Sequence, residues 1–324
     1  MTRNRDLFLH TPFLRAAQTY ITQHQTQCMY EWGLFVADLH THIKTQHSHV
    51  FQQFSEFFQQ RFVRAQPSQL SAHILEAFTA PEFTAQFRDH LVAQIPHIEE
   101  AQRTHPEQKE HAALTTAQHG WSFQTEHTPE GTWFFSLFWV GWLPHQGPAK
   151  LLVADPLRLK GSIQHFWKLI LQQQVQSQGG MLLHASGFLY KGQAHVFAGT
   201  SGSGKTTTVR HAPPEAKILS DEMLLIRPEG TQLMVYGTPF YGDYNQPGEM
   251  LHAPLANIHF IERANQCRKR TLSPKEAFPR LMRVFCSPPP RPQQQKHILK
   301  TIEQFLPFCD LLHMTANRAY WSHL

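Results

Sequence analysis

Residues Gly199 to Thr206, GTSGSGKT, fit the pattern G-x-x-x-x-G-K-[ST] in full. Glycines free successive backbone N–H groups to converge on an anion without Cβ obstruction, and a helix opening at the end of the loop adds the positive end of its dipole. The expected nucleotide contacts are Gly199, Thr200, Ser201, Gly202, Ser203, Gly204, Lys205, Thr206 and Thr207. The Lys205 ammonium would bridge the terminal phosphates of a nucleoside triphosphate such as ATP, and the Thr206 hydroxyl would complete the shell of a Mg²⁺ ion. Sixteen residues beyond Lys205 stands the acidic pair Asp221 and Glu222. Carboxylates downstream of such a loop are placed to supply a Mg²⁺ ligand and a base for an incoming nucleophile, or they form an ordinary charged strand end.

This chemistry needs a strand in front of the loop and a helix behind it. HVFA, ending at Ala198, is apolar and short enough for a buried strand. MLLHASGFLYKGQAHVFAG reads as strand, turn at Lys191 and Gly192, strand and loop; KILSDE is a strand ending in the acids, followed by a hairpin turning at Pro228 to Gly230. GTPFYGDY, from Gly237 to Tyr244, is a Gly/Pro/aromatic loop that either borders an acceptor site or is a hairpin exit. Arg263, Arg268 and Arg270 follow the strand LANIHFIE and either supply a further cation or are solvated.

Upstream the pattern changes. From Asp6 to about His105 the chain carries stretches compatible with helices, among them YEWGLFVADLHTHI and FQQFSEFFQQRFV. WSFQTE, the turn HTPEGT and WFFSLFWVGWL predict a β-hairpin, and PLRLKGSIQHFWKLILQQQVQSQGG predicts one amphipathic helix ending at Gly179 and Gly180. The expected organisation is a mainly helical N-terminal domain with a β-hairpin over residues 1–179, suited to binding an acceptor, and an α/β nucleotide-binding domain over 180–324.

Composition narrows the classes. The chain has 324 residues, 41% hydrophobic and 16% charged, as in globular proteins. Its formal charge of +5 is spread along the sequence without a dense Lys/Arg stripe, which argues against a nucleic-acid partner. The N-terminus lacks a signal-type apolar core, and Trp133 to Leu143 is too short to span a bilayer as a helix; a cytoplasmic protein without a membrane partner is expected. Cys28, Cys267, Cys286 and Cys309 form no C-x-x-C pair and read as free thiols. His40, His42, His47 and His49 stand in a chain rich in histidine, with no carboxylate or cysteine at ligand spacing, and read as solvated positions on a helix face.

The order LHASG, AGTSGSGKTTT, ILSDE, with GTPFYGD, APLANIHFIER and LSPKEAFPRL behind it, resembles the HPr kinase/phosphorylase group over about residues 165 to 324. The later segments look more like a short kinase-related branch, found beside peptide-modification and polysaccharide genes. The resemblance implies a P-loop kinase domain of the HPr kinase and phosphoenolpyruvate carboxykinase type, with a mixed sheet. It implies an ATP- and Mg²⁺-dependent kinase acting on a hydroxyl, expected to be Ser or Thr, of a peptide or protein acceptor. Lys205 and Thr206 then lie on phosphate and metal, Asp221 is the general base, and His184 orients the transferred phosphoryl group. Glu222, a Mg²⁺ ligand in this scheme, stands where HPr kinases usually carry a second aspartate. No counterpart of their E-I-R-G segment is found, and the first half does not read like their N-terminal domain. Family members assemble as oligomers, so a homo-oligomer is implied. The alternatives are a nucleotide-hydrolysing switch acting on a partner, or a non-catalytic interaction protein that retains the loop.

Overall fold

The computed structural model describes residues 30–66, 73–79, 124–136, 139–153, 155–200, 202–286 and 292–314, with Tyr320 and Leu324. The helical expectation for residues 6–29 and 80–105 lies outside these residues, as do Cys28 and Ser201. The chain forms two compact units. One is built from Met1–Phe35, His40–Phe54 and Val63–Ile170, the other from Val36–Leu39, Ser55–Phe62 and Leu171–Leu324.

Over its described residues the first unit departs from the expected helices. YEWGLFVADLHTHI is not a helix; it forms strands β1 (Tyr30–Val36) and β2 (Leu39–Thr45). The reason is visible in β2, where Leu39, Thr41, Ile43 and Thr45 are buried while His40, His42 and Lys44 are partly exposed, a two-residue period that only a strand satisfies. The four-histidine stretch therefore lies partly on a strand, not on one helix face. FQQFSEFFQQRFV does supply a helix, α1 (His49–Phe57), with Val50 and Phe54 buried. Strands β3 (Val63–Arg64), β4 (His73–Thr79), β5 (Gln124–His127), β6 (Gly131–Phe135), β7 (Trp139–Pro144) and β8 (Ala149–Val153) complete a sheet that, among the described residues, has eight strands in the order β3-β1-β2-β4-β8-β7-β6-β5. The expected hairpin is thus a run of three strands, β5 to β7. Helix α2 (Leu159–Ser177) begins and ends near its expected limits. It buries Ile163, Phe166 and Trp167, and the Trp167 indole donates to Thr41 Oγ1 at 3.1 Å.

The second unit is a mixed α/β body around strands β9 (Met181–Tyr190), β10 (Gln193–Ala198), β11 (Lys217–Ser220), β12 (Met223–Glu229), β13 (Gln232–Tyr236), β14 (His252–Arg263), β15 (Arg268–Thr271) and β16 (Cys309–Met314). Strands β10, β14 and β16 run parallel, with β9 and β15 antiparallel at either side. The long strands β9 and β14 each serve two sheets. The first half of β9 pairs with β12, from Met181 opposite Ile226 to His184 opposite Met223, whereas Ala185 to Tyr190 pair with β10. Helices α3 (Lys205–Arg210), α4 (Pro274–Val284) and α5 (Pro292–Phe305) complete the unit among the described residues.

Pleating sends alternate residues of the central strands into two cores. Val196, Ala198, Ile258 and Phe260 pack with Leu281 of α4 and Ile302 of α5. Phe188, Phe197, Ile261, Leu312 and Tyr320 form the other cluster. A buried polar chain crosses the second core: His259 Nδ1 lies 2.7 Å from Asp310 Oδ1, and His195 Nδ1 lies 3.4 Å from His259 Nε2. Burial, with His259 and Lys269 adding to it, lowers the His195 pKa to about 4. Among the described residues no helix is long and apolar enough to cross a membrane.

Candidate functional site

The site grows out of β10. Ala194, Val196, Phe197 and Ala198 are fully buried, so the strand is held on both faces up to the point where the loop leaves it. Gly199 sits where a Cβ would lie 2.6 Å from Ser203 Oγ and 3.4 Å from Ile261 O, so a larger residue would have to displace the Ser203 side chain. Gly202 and Gly204 have φ of 75° and 111°, in the left-handed region that disfavours side chains. Gly204 then caps α3, whose first residue is Lys205.

Lys205 Nζ donates to the carbonyls of Gly199 at 3.1 Å and Thr200 at 3.3 Å. Its ammonium therefore lies over the loop, and burial lowers its pKa. The backbone of α3 is fixed to the sheet by Ser186 of β9, whose hydroxyl donates to Lys205 O at 2.8 Å and lies 3.2 Å from Thr208 Oγ1. The Tyr320 hydroxyl donates to Thr208 O at the other end of the short helix. Ser203 Oγ is buried and has no hydrogen-bond partner among the described residues.

β11 delivers the acidic pair to the same place. Asp221 is only 4% exposed, and its Oδ2 accepts from Thr206 Oγ1 at 3.4 Å. Two backbone groups also donate to it: Gly242 N to Oδ1 at 2.9 Å, and Tyr244 N to Oδ2 at 2.8 Å. Burial raises the Asp221 pKa; the Gly242 and Tyr244 amides oppose this, the charge of Glu222 adds to it, and Thr206 opposes it. A carboxylate has about four acceptor sites, so three donors leave room for one more partner. Glu222 is partly exposed; its amide donates to Ser220 Oγ at 3.1 Å, and its carbonyl accepts from Ala185 N at 3.1 Å.

His184 pairs across the ladder with Met223, the residue after the acids, and precedes Ser186 by two. The period of a strand therefore puts His184 and Ser186 on the same face of β9. Of the three candidate arginines only one reaches the loop. Arg263 Nη2 donates to Gly202 O at 3.0 Å, whereas Arg268 bonds His313 at 3.2 Å and Arg270 pairs with Glu276 at 2.7 Å. Thr200 and Thr207 are exposed at the loop and on the first turn of α3, and Ser201 lies outside the described residues. The Gly242 and Tyr244 amides are contributions that sequence reasoning missed, because a backbone donor has no side-chain signature.

Residues 161–281 match the family model of SynChlorMet cassette protein ScmC. That span takes in β9 to β14, the loop and the acidic pair. A search of curated proteins finds no match. Among solved structures, the HPr(Ser) kinase/phosphatase from Coxiella burnetii aligns at 9% identity over 37% of this chain and 86% of that chain, with a TM-score of 0.21.

The arrangement can hold a polyanion and activate a group beside it. The loop holds its cation on its own carbonyls, and a buried carboxylate with a spare acceptor site bonds Thr206. Among the described residues no three His, Cys, Asp or Glu side chains converge as a cage for a metal ion.

Proposed function

We propose that this chain is an ATP-dependent kinase that transfers a phosphoryl group to a hydroxyl of a peptide or protein acceptor. The observation that carries the reading is the contact between Thr206 of the phosphate-binding loop and Asp221, which brings a carboxylate beside the position of the terminal phosphates. A cradle without a carboxylate would only bind nucleotide.

The residues suit a nucleoside triphosphate. Gly202 and Gly204 turn left-handed, and among the described residues a Cβ added at either would meet nothing within 4 Å. Ser203 Oγ is a buried polar atom with a bond to gain. Lys205 would exchange two carbonyl contacts for phosphate oxygens, and an anion would restore its depressed basicity. Thr206 and Glu222 would hold Mg²⁺, which when bound neutralises charge on the transferred group and its leaving group.

In this reading the protein mainly positions and neutralises. Asp221 accepts the acceptor's hydroxyl proton at its remaining lone pair; its raised pKa is the direction that strengthens a carboxylate base. The Gly242 and Tyr244 amides keep the carboxylate from rotating away. His184 faces the transferred group from β9, and Arg263 stands at the rim of the loop as an additional cation. Because the family matching residues 161–281 is named as a cassette protein, acceptors are sought first among the products of neighbouring genes.

The test begins with binding. Wild-type protein should bind ATP with Mg²⁺ in calorimetry, and Lys205→Ala should lose most of that affinity while its circular dichroism and urea midpoint stay close to wild type. Equal binding by both proteins would remove the loop from nucleotide recognition.

A further inference from the structure

We propose that Phe57 and Arg61, far away in sequence, are positioning residues for Asp221 and act through the loop from Gly237 to Glu249. The proposal rests on the reading of Asp221 as the base. All of these residues belong to the second unit.

The rim of the loop is fixed. Gly237 N donates to Leu251 O at 2.9 Å, Thr238 N to Leu219 O at 3.0 Å and Glu249 N to Ile218 O at 2.7 Å. Space there is so restricted that a Cβ on Gly237 would lie 1.9 Å from Glu249 O, and one on Gly248 1.7 Å from Leu219 O. The apex is different, because it is held by side chains. Ser220 Oγ donates to Phe240 O at 2.7 Å, and Arg210 of α3 donates to Asp243 O. Tyr241, between Phe240 and the Gly242 amide that binds Asp221, rests on Phe57: the rings stack with centroids 4.5 Å apart, and Tyr241 Oη donates to Phe57 O at 3.0 Å.

Arg61 repeats the attachment at the loop's far end. Its Nη1 donates to Gly248 O at 3.4 Å and lies 3.3 Å from a Glu249 carboxylate oxygen. The backbone between these two anchors and just after the second is strained. Gln59, Gln60 and Phe62 have φ of 50°, 61° and 58°, left-handed values that cost free energy for any residue other than glycine. Phe58 and Phe62, both buried, and the bond from Gln60 N to Ser55 O at 2.6 Å hold the turn in that form. Strain of this kind persists where the surroundings over-determine it, and it concentrates at functional sites. Here it aims Phe57 at Tyr241 and Arg61 at Gly248.

The consequence is geometric. The Tyr241–Gly242 peptide carries the N–H that fixes Asp221 Oδ1, so a shift of the Tyr241 ring moves a hydrogen-bond donor of the base. A misplacement of about 1 Å in a reacting group can cost on the order of a hundredfold in rate.

The test uses the full chain, with ATP and Mg²⁺ as probes, and two independent readouts. Phe57→Ala should raise amide hydrogen exchange at Gly242 and Tyr244 by about tenfold, since an opened local contact exposes those amides. It should lower kcat for nucleotide turnover by roughly ten- to a hundredfold while the KM for ATP stays within about twofold. Phe57→Tyr, which keeps the ring, should recover both values, and Arg61→Ala should speed exchange mainly near Gly248. Should Phe57→Ala misfold, Tyr241→Phe removes only the hydroxyl and should still speed exchange at Gly242. Unchanged exchange at Gly242 and Tyr244, or faster exchange with unchanged kcat, overturns the proposal. If wild type turns over no ATP without an acceptor, the kinase reading is decided by transfer to an acceptor, and the exchange arm alone decides whether Phe57 and Arg61 hold the loop.

Discussion

Asp221→Asn separates positioning from chemistry at the acidic pair. The carboxylate accepts at Oδ1 from Gly242 N at 2.9 Å and at Oδ2 from Tyr244 N at 2.8 Å and Thr206 Oγ1 at 3.4 Å. A carboxamide has one oxygen. Whichever way it turns, its NH₂ meets one of the two backbone N–H groups, donor against donor. At a side chain only 4% exposed, an amide without an acceptor costs about 1–3 kcal/mol. Part of this is offset, because the neutral amide escapes the desolvation that raises the Asp221 pKa. The variant should therefore have a modestly lower urea midpoint at unchanged slope, and transfer to the acceptor should fall by about a hundred- to ten-thousandfold. The assay is single-turnover transfer at saturating nucleotide over a range of Mg²⁺ concentrations. A loss that persists at every concentration identifies a base, whereas recovery at high Mg²⁺ makes Asp221 chiefly a metal residue. Transfer within a few fold of wild type would refute the reasoning and leave Glu222 or His184 to be examined.

Three further outcomes are expected. Tyr320→Phe removes the donor to Thr208 O at the end of α3, where Ala212 N turns to Val209 O instead; the buried carbonyl left behind should cost about 1–3 kcal/mol in urea denaturation, and no measurable change would show that the tail does not secure the helix. The folded His195 pKa of about 4 lies below the unfolded value of about 6.5, so the unfolded state binds more protons between them. Stability from keeping this ring neutral is present above about pH 6.5 and is lost as pH falls towards 4, by up to about 3 kcal/mol. Denaturation of His195→Phe across that window should show a shallower fall than wild type; parallel curves would mean that His195 does not carry the effect. Thr206→Ala should raise the Mg²⁺ concentration needed for half-maximal turnover more than it weakens ATP binding, and the reverse order would move Thr206 from metal to nucleotide.

The loop was legible because its requirements are local. Gly199, Gly202 and Gly204 are needed by turns within six residues, and the buried run before them marks a strand without reference to the rest of the chain. The acidic pair was legible for the same reason. The N-terminal sheet was not. β1 has no alternation, since Gly33 to Val36 are inside with Trp32, and its two-residue turn uses Ala37 at φ 54° where a hairpin signal would show glycine or asparagine. With its alternating partner β2 read in one piece with β1, the apolar spacing also fitted a helix. What holds Asp221 was hidden for a different reason. Its donors are backbone amides, and the residues behind them are remote: Phe57 lies 184 positions before Tyr241, and Arg61 lies 187 before Gly248. Only a folded chain brings them together.

The central claim is tested most directly by following the γ-phosphoryl group itself. Protein, Mg²⁺ and ATP labelled on the γ-phosphate are mixed with peptides encoded beside the gene, and the label is traced by mass spectrometry and to inorganic phosphate in parallel. The expected result is a phosphate ester on an acceptor hydroxyl, formed by wild type and absent with Lys205→Ala. Label that appears only as inorganic phosphate, at the same rate with and without every acceptor, would contradict the kinase and leave a nucleotide-hydrolysing switch.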